Sequence, residues 1–261
     1  MLADAHIHLF RHGFHGNVAE HHEVLAYEGY RERFGIQRAL VVGYEGQERF
    51  RGNNEYLRYL ALRHPWMAPL RYVGSSSSEP EELDPEFFGY ALYLDDWPRS
   101  RELAATLQER ALTTVESPIV SINCTPESLA EATESLLGFD ACTVVVSHFG
   151  LPGRPATSRA DAVLRMQPIL SLAEKLNIYV KLSAPYAIDS SPDGAGAVTY
   201  VEVLLEGLGA DRLMWGSDFA PGLDHQTVEE TFSLADTVSE LLTSSERHRV
   251  CSSNLLGLIG H

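Results

Sequence analysis

Short apolar runs and longer amphipathic segments alternate along the whole 261-residue chain. The apolar runs are rich in Val, Ile, Leu and Tyr and are nearly continuous in apolarity, which is typical of parallel strands buried on both faces. They predict eight strands, at Leu2–Leu9, Arg38–Gly43, Met67–Val73, Phe88–Leu94, Pro118–Asn123, Cys142–His148, Ile178–Ser183 and Arg212–Ser217.

The amphipathic segments between these runs predict helices. They span His22–Phe34, Asn54–His64, Arg101–Ala111, Pro126–Leu137, Arg159–Leu176, Ala197–Leu208 and Val228–Leu241, and an extra terminal helix follows at Glu246–Leu258. Thr125, followed by Pro126, and Ser158 have the residue types of N-caps. Only Gly74–Glu86, between the third and fourth strands, gives a weak helix signal.

Eight strands separated by helices predict the α/β class, as a (β/α)8 TIM barrel, with residues 1–261 forming a single domain. A doubly wound open sheet is the alternative. No glycine-rich phosphate loop follows the first strand, which argues against that alternative.

Composition narrows the class of partner. The net charge of −16 argues against nucleic acid and anionic membranes, because phosphate contacts need clustered Lys and Arg. No apolar run approaches the roughly 18 residues of a membrane helix. The first strand follows directly on the N-terminus, without a basic region or cleavage site, and the three cysteines are scattered. We therefore expect a cytoplasmic protein with a small-molecule substrate, and a homodimer remains open.

Four ionisable side chains fall at the ends of three predicted strands. His6 and His8 point the same way because side chains alternate along a strand, and they lie about 6.6 Å apart along it. His148 ends the sixth apolar run, and Asp218 follows the eighth, which neighbours the first in a closed barrel. Two imidazoles on one strand form half of a site for a divalent metal. Each residue alone could be structural, but their shared position at the barrel mouth predicts an active site.

The motifs around these residues, DAHIHLF, VVVSHFG, YVKLSAPY and RLMWGSDFAP, resemble the strand-end motifs of the amidohydrolase superfamily. More narrowly, they resemble its dicarboxylate and sugar lactonases and carboxylate decarboxylases. The resemblance covers nearly the whole chain, to the terminal NLLGLIG. It implies that His6, His8 and Asp218 bind one divalent metal ion, for which zinc is the expected identity. It also implies that Asp218 accepts a proton and that His148 orients water or polarises the substrate.

Two departures from that family pattern bear on the metal. Many relatives have a histidine ligand at the end of the fifth strand, where this chain has Asn123. The fourth strand also lacks the lysine that some relatives carbamylate to bridge two metals. A binuclear centre is therefore not expected, and some lactonases of this branch work without any metal.

Further residues at the predicted mouth could contact substrate. We assign this role to Asn123, Tyr186, Arg154, His12 and Tyr93. Each has an ordinary structural alternative: loop histidines such as His12 and His15 are usually solvated, and Arg154 and Arg71 are usually in surface ion pairs. Lys181 is interpreted as a member of an ion pair inside the barrel, and Cys124 has no evident partner that would activate it.

The sequence therefore predicts a hydrolase that cleaves a small-molecule ester, lactone or amide with metal-activated water. Three alternatives remain open: a metal-independent lactonase that uses the same residues, a non-oxidative decarboxylase, and a barrel that binds a ligand without catalysis.

Overall fold

The computed structural model describes residues 2–74, 83–97, 99–191 and 193–260. Eight parallel strands form one sheet in the order of the sequence, so each strand pairs with the next. They are β1 (Leu2–Ile7), β2 (Ile36–Val42), β3 (Met67–Val73), β4 (Gly89–Tyr93), β5 (Ile119–Asn123), β6 (Thr143–Val146), β7 (Asn177–Leu182) and β8 (Leu213–Trp215).

The sheet closes by contacts between β1 and the residues that follow β8. Ile7 forms a parallel bridge with Phe219, and the Asp218 amide donates to the His6 carbonyl at 2.9 Å. Helices separate most of the strands. The predicted (β/α)8 barrel is therefore confirmed.

The helices cover the outside of the barrel. They are α1 (His22–Phe34), α2 (Asn53–Ala61), α3 (Arg101–Leu112), α4 (Pro126–Leu136), α5 (Arg159–Ala173), α6 (Val198–Leu208), α7 (Val228–Thr231), α8 (Asp236–Glu240), α9 (Ser244–His248) and α10 (Asn254–Ile259). Both predicted N-caps are present: Thr125 Oγ1 accepts from the Ser128 amide and Ser158 Oγ from the Asp161 amide, each at 3.2 Å.

Two predicted helices differ from the observed ones. The prediction of a single helix at Val228–Leu241 was wrong, because the chain leaves helical geometry at Phe232 and resumes it only at α8. In this non-helical segment the Trp215 indole donates to the Ser233 carbonyl at 3.1 Å, a contact that ties the segment to β8. The predicted terminal helix is present as α9, a π-helical turn at Arg249–Ser253, and α10. Most of the weak signal at Gly74–Glu86, namely 75–82, lies outside the described residues.

An irregularity in β1 changes which of its side chains face the barrel interior. Ala3 and Ala5 pack in the interior apolar cluster, while Asp4 contacts Tyr27 of the outer helix α1. The register with β2 shifts between Asp4 and Ile7. Such a bulge reverses the facing of the residues beyond it, and it brings the His6 side chain inside the barrel at its mouth.

Close packing at the β8 end requires a glycine. A Cβ on Gly216 would lie 2.8 Å from the Cβ of His6, which is closer than side-chain carbons approach. The glycine of the sequence GSD therefore allows β8 to approach β1 beside the candidate site. Among the described residues, no helix is both long and apolar enough to cross a membrane.

Candidate active site

The side chains of His6, His8, His148 and Asp218 converge at the carboxyl ends of the strands. The Nε2 atoms of His6 and His8 lie 3.1 Å apart, and Asp218 Oδ1 lies 3.6 Å from His6 Nε2 and 3.9 Å from His148 Nε2. All four residues are buried. The structure therefore brings together the four residues that the sequence singled out.

Two of these residues have strained backbones. Asp218 has φ 56° and His148 has φ 53°, in the left-handed region that residues with a Cβ seldom adopt. Such conformations cost on the order of 1–3 kcal/mol each and concentrate at functional sites. The Asp218 turn is held by its own amide and by its carbonyl, which accepts from the Gly222 amide at 2.8 Å.

Hydrogen bonds behind the histidines orient their rings. His8 Nδ1 lies 2.8 Å from the Val42 carbonyl, which can only accept, so Nδ1 carries the hydrogen and Nε2 offers a lone pair. His148 Nδ1 lies 2.9 Å from Ser183 Oγ. Burial lowers the pKa of His8 to about 4 and that of His148 to about 3. Both imidazoles are therefore neutral near pH 7, as metal ligands must be.

Lys181 lies fully buried beneath the site. Its Nζ donates to Ser121 Oγ at 2.7 Å and lies 3.2 Å from His6 Nδ1, while Ser121 Oγ is 3.3 Å from Ser147 Oγ. Burial lowers the pKa of Lys181 to about 7. The sequence predicted Lys181 as a member of an ion pair inside the barrel. Its interior position is confirmed, but among the described residues its partners are His6 and Ser121, and no carboxylate lies within ion-pair distance.

Asp218 carries a carboxyl suited to proton transfer. Burial raises its pKa to about 7, against the lowering effect of the Tyr186 hydroxyl, which donates to Oδ2. Tyr186 in turn stacks on the ring of His225, with centroids 4.3 Å apart. A group whose pKa is near the working pH is the most effective general acid or base. His225 was missed by the sequence reasoning, because it lies in the loop after β8 without a strand-end motif.

Asp4 is a second buried carboxylate that the sequence reasoning did not assign. Its Oδ1 accepts from the Ser217 amide at 2.8 Å and from the His6 amide at 3.2 Å, and its Oδ2 accepts from the Tyr27 hydroxyl at 3.1 Å. These contacts join β1, the residues after β8, and α1. The DAHIH sequence offered a signal, because a carboxylate in a buried strand needs such partners.

The donor set fits a divalent ion of intermediate softness. One ligand atom from each of His6, His148 and Asp218 lies within 4.8 Å of the other two, and nitrogen and carboxylate donors suit zinc. This grouping contains His148, whereas the predicted ligand set contained His8. His8 Nε2 remains beside His6 Nε2, so the assignment of His6, His8 and Asp218 stays a prediction.

The other residues predicted to contact substrate have different surroundings. Tyr93 and Asn123 are register partners at the ends of β4 and β5. Arg154 instead forms a bidentate ion pair with Asp161, with N–O distances of 2.7 and 3.0 Å. His12 lies exposed in the loop after β1.

The structure does not support His15 as a residue of the site or Cys124 as a nucleophile. His15 lies in an exposed pair with Asp224, at 3.0 Å. Burial raises the pKa of the Cys124 thiol to about 12, which leaves it without thiolate character at neutral pH.

Residues 93–254 match the model of the amidohydrolase family, and the chain belongs to that family. The match includes His148 and Asp218 but not the HxH strand. No curated protein matches the chain in sequence.

Solved structures show the same fold at low sequence identity. An amidohydrolase from Burkholderia multivorans with bound zinc is 17% identical and has a TM-score of 0.77, with 99% of this chain and 98% of that chain covered. A probable 2-pyrone-4,6-dicarboxylic acid hydrolase from Acinetobacter baumannii, solved with citric acid, is 17% identical and has a TM-score of 0.76, with 100% and 99% covered.

Proposed function

We propose that this enzyme hydrolyses an ester, lactone or amide bond of a small molecule with metal-activated water. The observation that carries the proposal is the convergence of three neutral or weakly basic imidazoles on Asp218, a buried carboxyl whose pKa lies near 7. The donor chemistry fits one divalent ion, for which zinc is the first candidate, at His6 and Asp218 together with His8 or His148. When bound, such an ion lowers the pKa of water to about 7 and so supplies hydroxide.

The protein groups have separate roles in this proposal. Asp218 accepts the proton of the attacking water and returns it to the leaving group, since its pKa suits both directions of transfer. Tyr186 holds the Asp218 carboxylate through its hydroxyl. His148 Nε2 faces the same space as Asp218 Oδ1 and stabilises the oxyanion that develops on the substrate carbonyl.

A second candidate, hydrolysis by the same residues without a metal, is favoured by the contact of Lys181 with His6. Metal-ligating histidines usually donate their second ring N–H to a carboxylate, a carbonyl or water. His6 Nδ1 instead faces the Lys181 amine at 3.2 Å. A lysine ammonium there donates to Nδ1, which leaves His6 Nε2 with the hydrogen and without a lone pair for a metal.

The two candidates differ in metal content and in response to chelation. Elemental analysis of protein purified without chelator, together with a panel of lactones, esters and amides assayed before and after chelation, separates them. About one zinc per chain and loss of hydrolysis on chelation are expected for the metal enzyme. Metal near zero with unchanged hydrolysis would transfer the proposal to the metal-free form. No turnover of any carbonyl substrate would contradict both.

A further inference from the structure

Six aromatic rings form a continuous surface beside the candidate site, which we call the aromatic wall. It consists of Phe10, Phe14, Tyr44, Phe50, Tyr72 and Tyr93, and neighbouring ring centroids lie 3.9 to 6.3 Å apart. At one end Phe10 stacks on His8 at 5.7 Å. At the other end, burial and then the charge of Asp218 raise the pKa of Tyr93. Both ends of the aromatic wall therefore border the candidate active site.

The wall has a buried layer and a partly exposed layer. Phe10, Phe50 and Tyr72 are at most 8% exposed. Phe14, Tyr44 and Tyr93 are only partly buried, and they pack on that layer. Aromatic faces held in this way offer a planar apolar surface at little entropic cost, which is how ligand sites bind rings.

Two of the polar groups at the wall are uncharged, and a third, the carboxyl of Asp96, accepts from the Tyr72 hydroxyl. Tyr93 and Asn123 lie side by side in register on β4 and β5. In the part of the chain that the structure describes, neither the Tyr93 hydroxyl nor the Asn123 amide has a hydrogen-bond partner. A hydroxyl and an amide bind neutral oxygens such as carbonyl, ether and hydroxyl groups.

Three arginines, Arg154, Arg71 and Arg49, are each held by contacts with other protein groups. Arg154 is held by both oxygens of Asp161, and Arg71 contacts Asp84 at 3.1 Å. Arg49 is exposed and stacks over the rings of Phe14 and Phe50. A carboxylate on a ring that packs against the wall, away from the candidate metal site, would be desolvated and repelled by the carboxyl of Asp96, which accepts from the Tyr72 hydroxyl at 2.6 Å.

We propose that the site takes an uncharged ester or lactone whose ring packs on the aromatic wall, and that carboxylated substrates are excluded. The proposal rests on the proposed hydrolytic function, and it specifies the substrate class of that site. It differs from the dicarboxylic acid in the name of the Acinetobacter protein.

Three matched lactones test this class: phthalide, 5-carboxyphthalide and γ-butyrolactone. They share a five-membered lactone and differ in an aromatic ring and a carboxylate. Binding to the wild-type protein is measured by calorimetry, and hydrolysis by proton release. Phthalide is expected to bind and react at least tenfold better than either of the others.

The two readouts distinguish failure of the substrate class from failure of the hydrolytic function. Preferential phthalide binding without hydrolysis would support the substrate class and count against hydrolysis. Equal or tighter binding of 5-carboxyphthalide, or no binding of phthalide, would overturn the substrate class even if a lactone is hydrolysed.

Variants locate the binding surface. Tyr44→Leu removes one partly exposed ring and is expected to weaken phthalide binding at least fivefold, while Tyr44→Phe keeps the ring and the affinity. Tyr59→Leu, on the outer face of α2, is the matched control and should bind phthalide like the wild type. If Arg49→Met selectively weakens 5-carboxyphthalide binding, Arg49 is a carboxylate receptor and the exclusion of carboxylates is wrong. Thermal melts confirm that each variant is folded.

Discussion

The chemistry proposed for this enzyme depends most on the carboxyl of Asp218. The change Asp218→Asn keeps the shape of the side chain and leaves an oxygen for Tyr186, so the barrel should still fold. An amide cannot accept the proton, and general acid–base catalysis contributes about 10²–10⁴-fold, so turnover should fall by that factor. His148→Gln should cost less where His8 completes the metal site, because His148 then only stabilises the oxyanion.

Turnover of the best panel substrate checks this prediction, with thermal melts to show that each variant is folded. Asp140→Asn is the matched control, since the Asp140 side chain is exposed and, within the described residues, accepts a hydrogen bond from Gln108 on α3. Near wild-type turnover in Asp218→Asn would contradict the mechanism with and without a metal. It would favour instead a barrel that binds a ligand without catalysis.

Lys181 is the residue expected to set the metal affinity of the site. Lys181→Met removes an amine that contacts His6 and leaves a flexible apolar chain in the barrel interior. At pH 6, where an amine with a pKa of about 7 is mostly protonated, this removal should raise zinc affinity on the order of tenfold, because zinc must otherwise displace the Lys181 proton; at pH 7 the gain should be only about twofold. A competition titration with a chromophoric chelator measures the change.

A second lysine provides the control for this experiment. Lys175 is the only other lysine, and it lies exposed after α5. Lys175→Met should leave zinc affinity unchanged. Equal or weaker zinc binding by Lys181→Met would show that Lys181 does not oppose the metal.

At the scale of elements, Glu23 of α1 holds the loop that follows β1. Its carboxylate oxygens accept from the Phe10 amide at 2.6 Å and from the Phe14 amide at 2.8 Å. Burial raises its pKa from 4.5 to about 7. The aromatic wall therefore begins in a loop whose backbone is tied to a helix.

This pKa shift makes a prediction about stability against pH. The folded protein binds the Glu23 proton more tightly than the unfolded chain, so the associated stability is fully present below about pH 4.5 and is lost as pH rises through about 7. Relative to Glu23→Gln, the free energy of unfolding of the wild type should fall by on the order of 3 kcal/mol between these limits. Urea titrations of both proteins across this range measure it, and a constant difference would count against the raised pKa.

For the whole molecule, we expect barrel closure to depend on Asp4, which joins β1 to the residues after β8 and to α1. The Asp4 carboxylate accepts from the Ser217 amide, the His6 amide and the Tyr27 hydroxyl. Asp4→Ala leaves these buried donors unsatisfied, each at a cost of about 1–3 kcal/mol, so unfolding free energy should fall by at least about 3 kcal/mol. Asp4→Asn keeps an oxygen for the two amides and should cost less. Urea unfolding measures both, and equal losses would show that the amide contacts do not control closure.

Some elements could be predicted because the local pattern of apolar residues indicates which positions are buried. The strand Met67–Val73 and the helix His22–Phe34 match their predicted ranges, and Thr125 and Ser158 cap helices as their residue types indicated. The prediction of a single helix at Val228–Leu241 was wrong, and the non-helical segment within it is tied to β8 by a tertiary hydrogen bond from Trp215 that the local pattern does not indicate.

The sequence by itself determined the order of strands and helices and the positions of His6, His8, His148 and Asp218 at strand ends. These follow from periodicity and from the shared direction of parallel strands. The single domain of residues 1–261, the cytoplasmic location and the homodimer remain predictions.

Only the tertiary structure decided what these residues contact. Lys181 and His6 are 175 residues apart and meet because the barrel closes and β1 shifts its register. Arg154 was predicted to bind substrate, yet a local ion pair with Asp161 occupies its guanidinium. The aromatic wall is assembled from loops and strand ends whose spacing in sequence carries no period. Periodicity reports which side of an element is buried, whereas contact partners depend on how the elements pack.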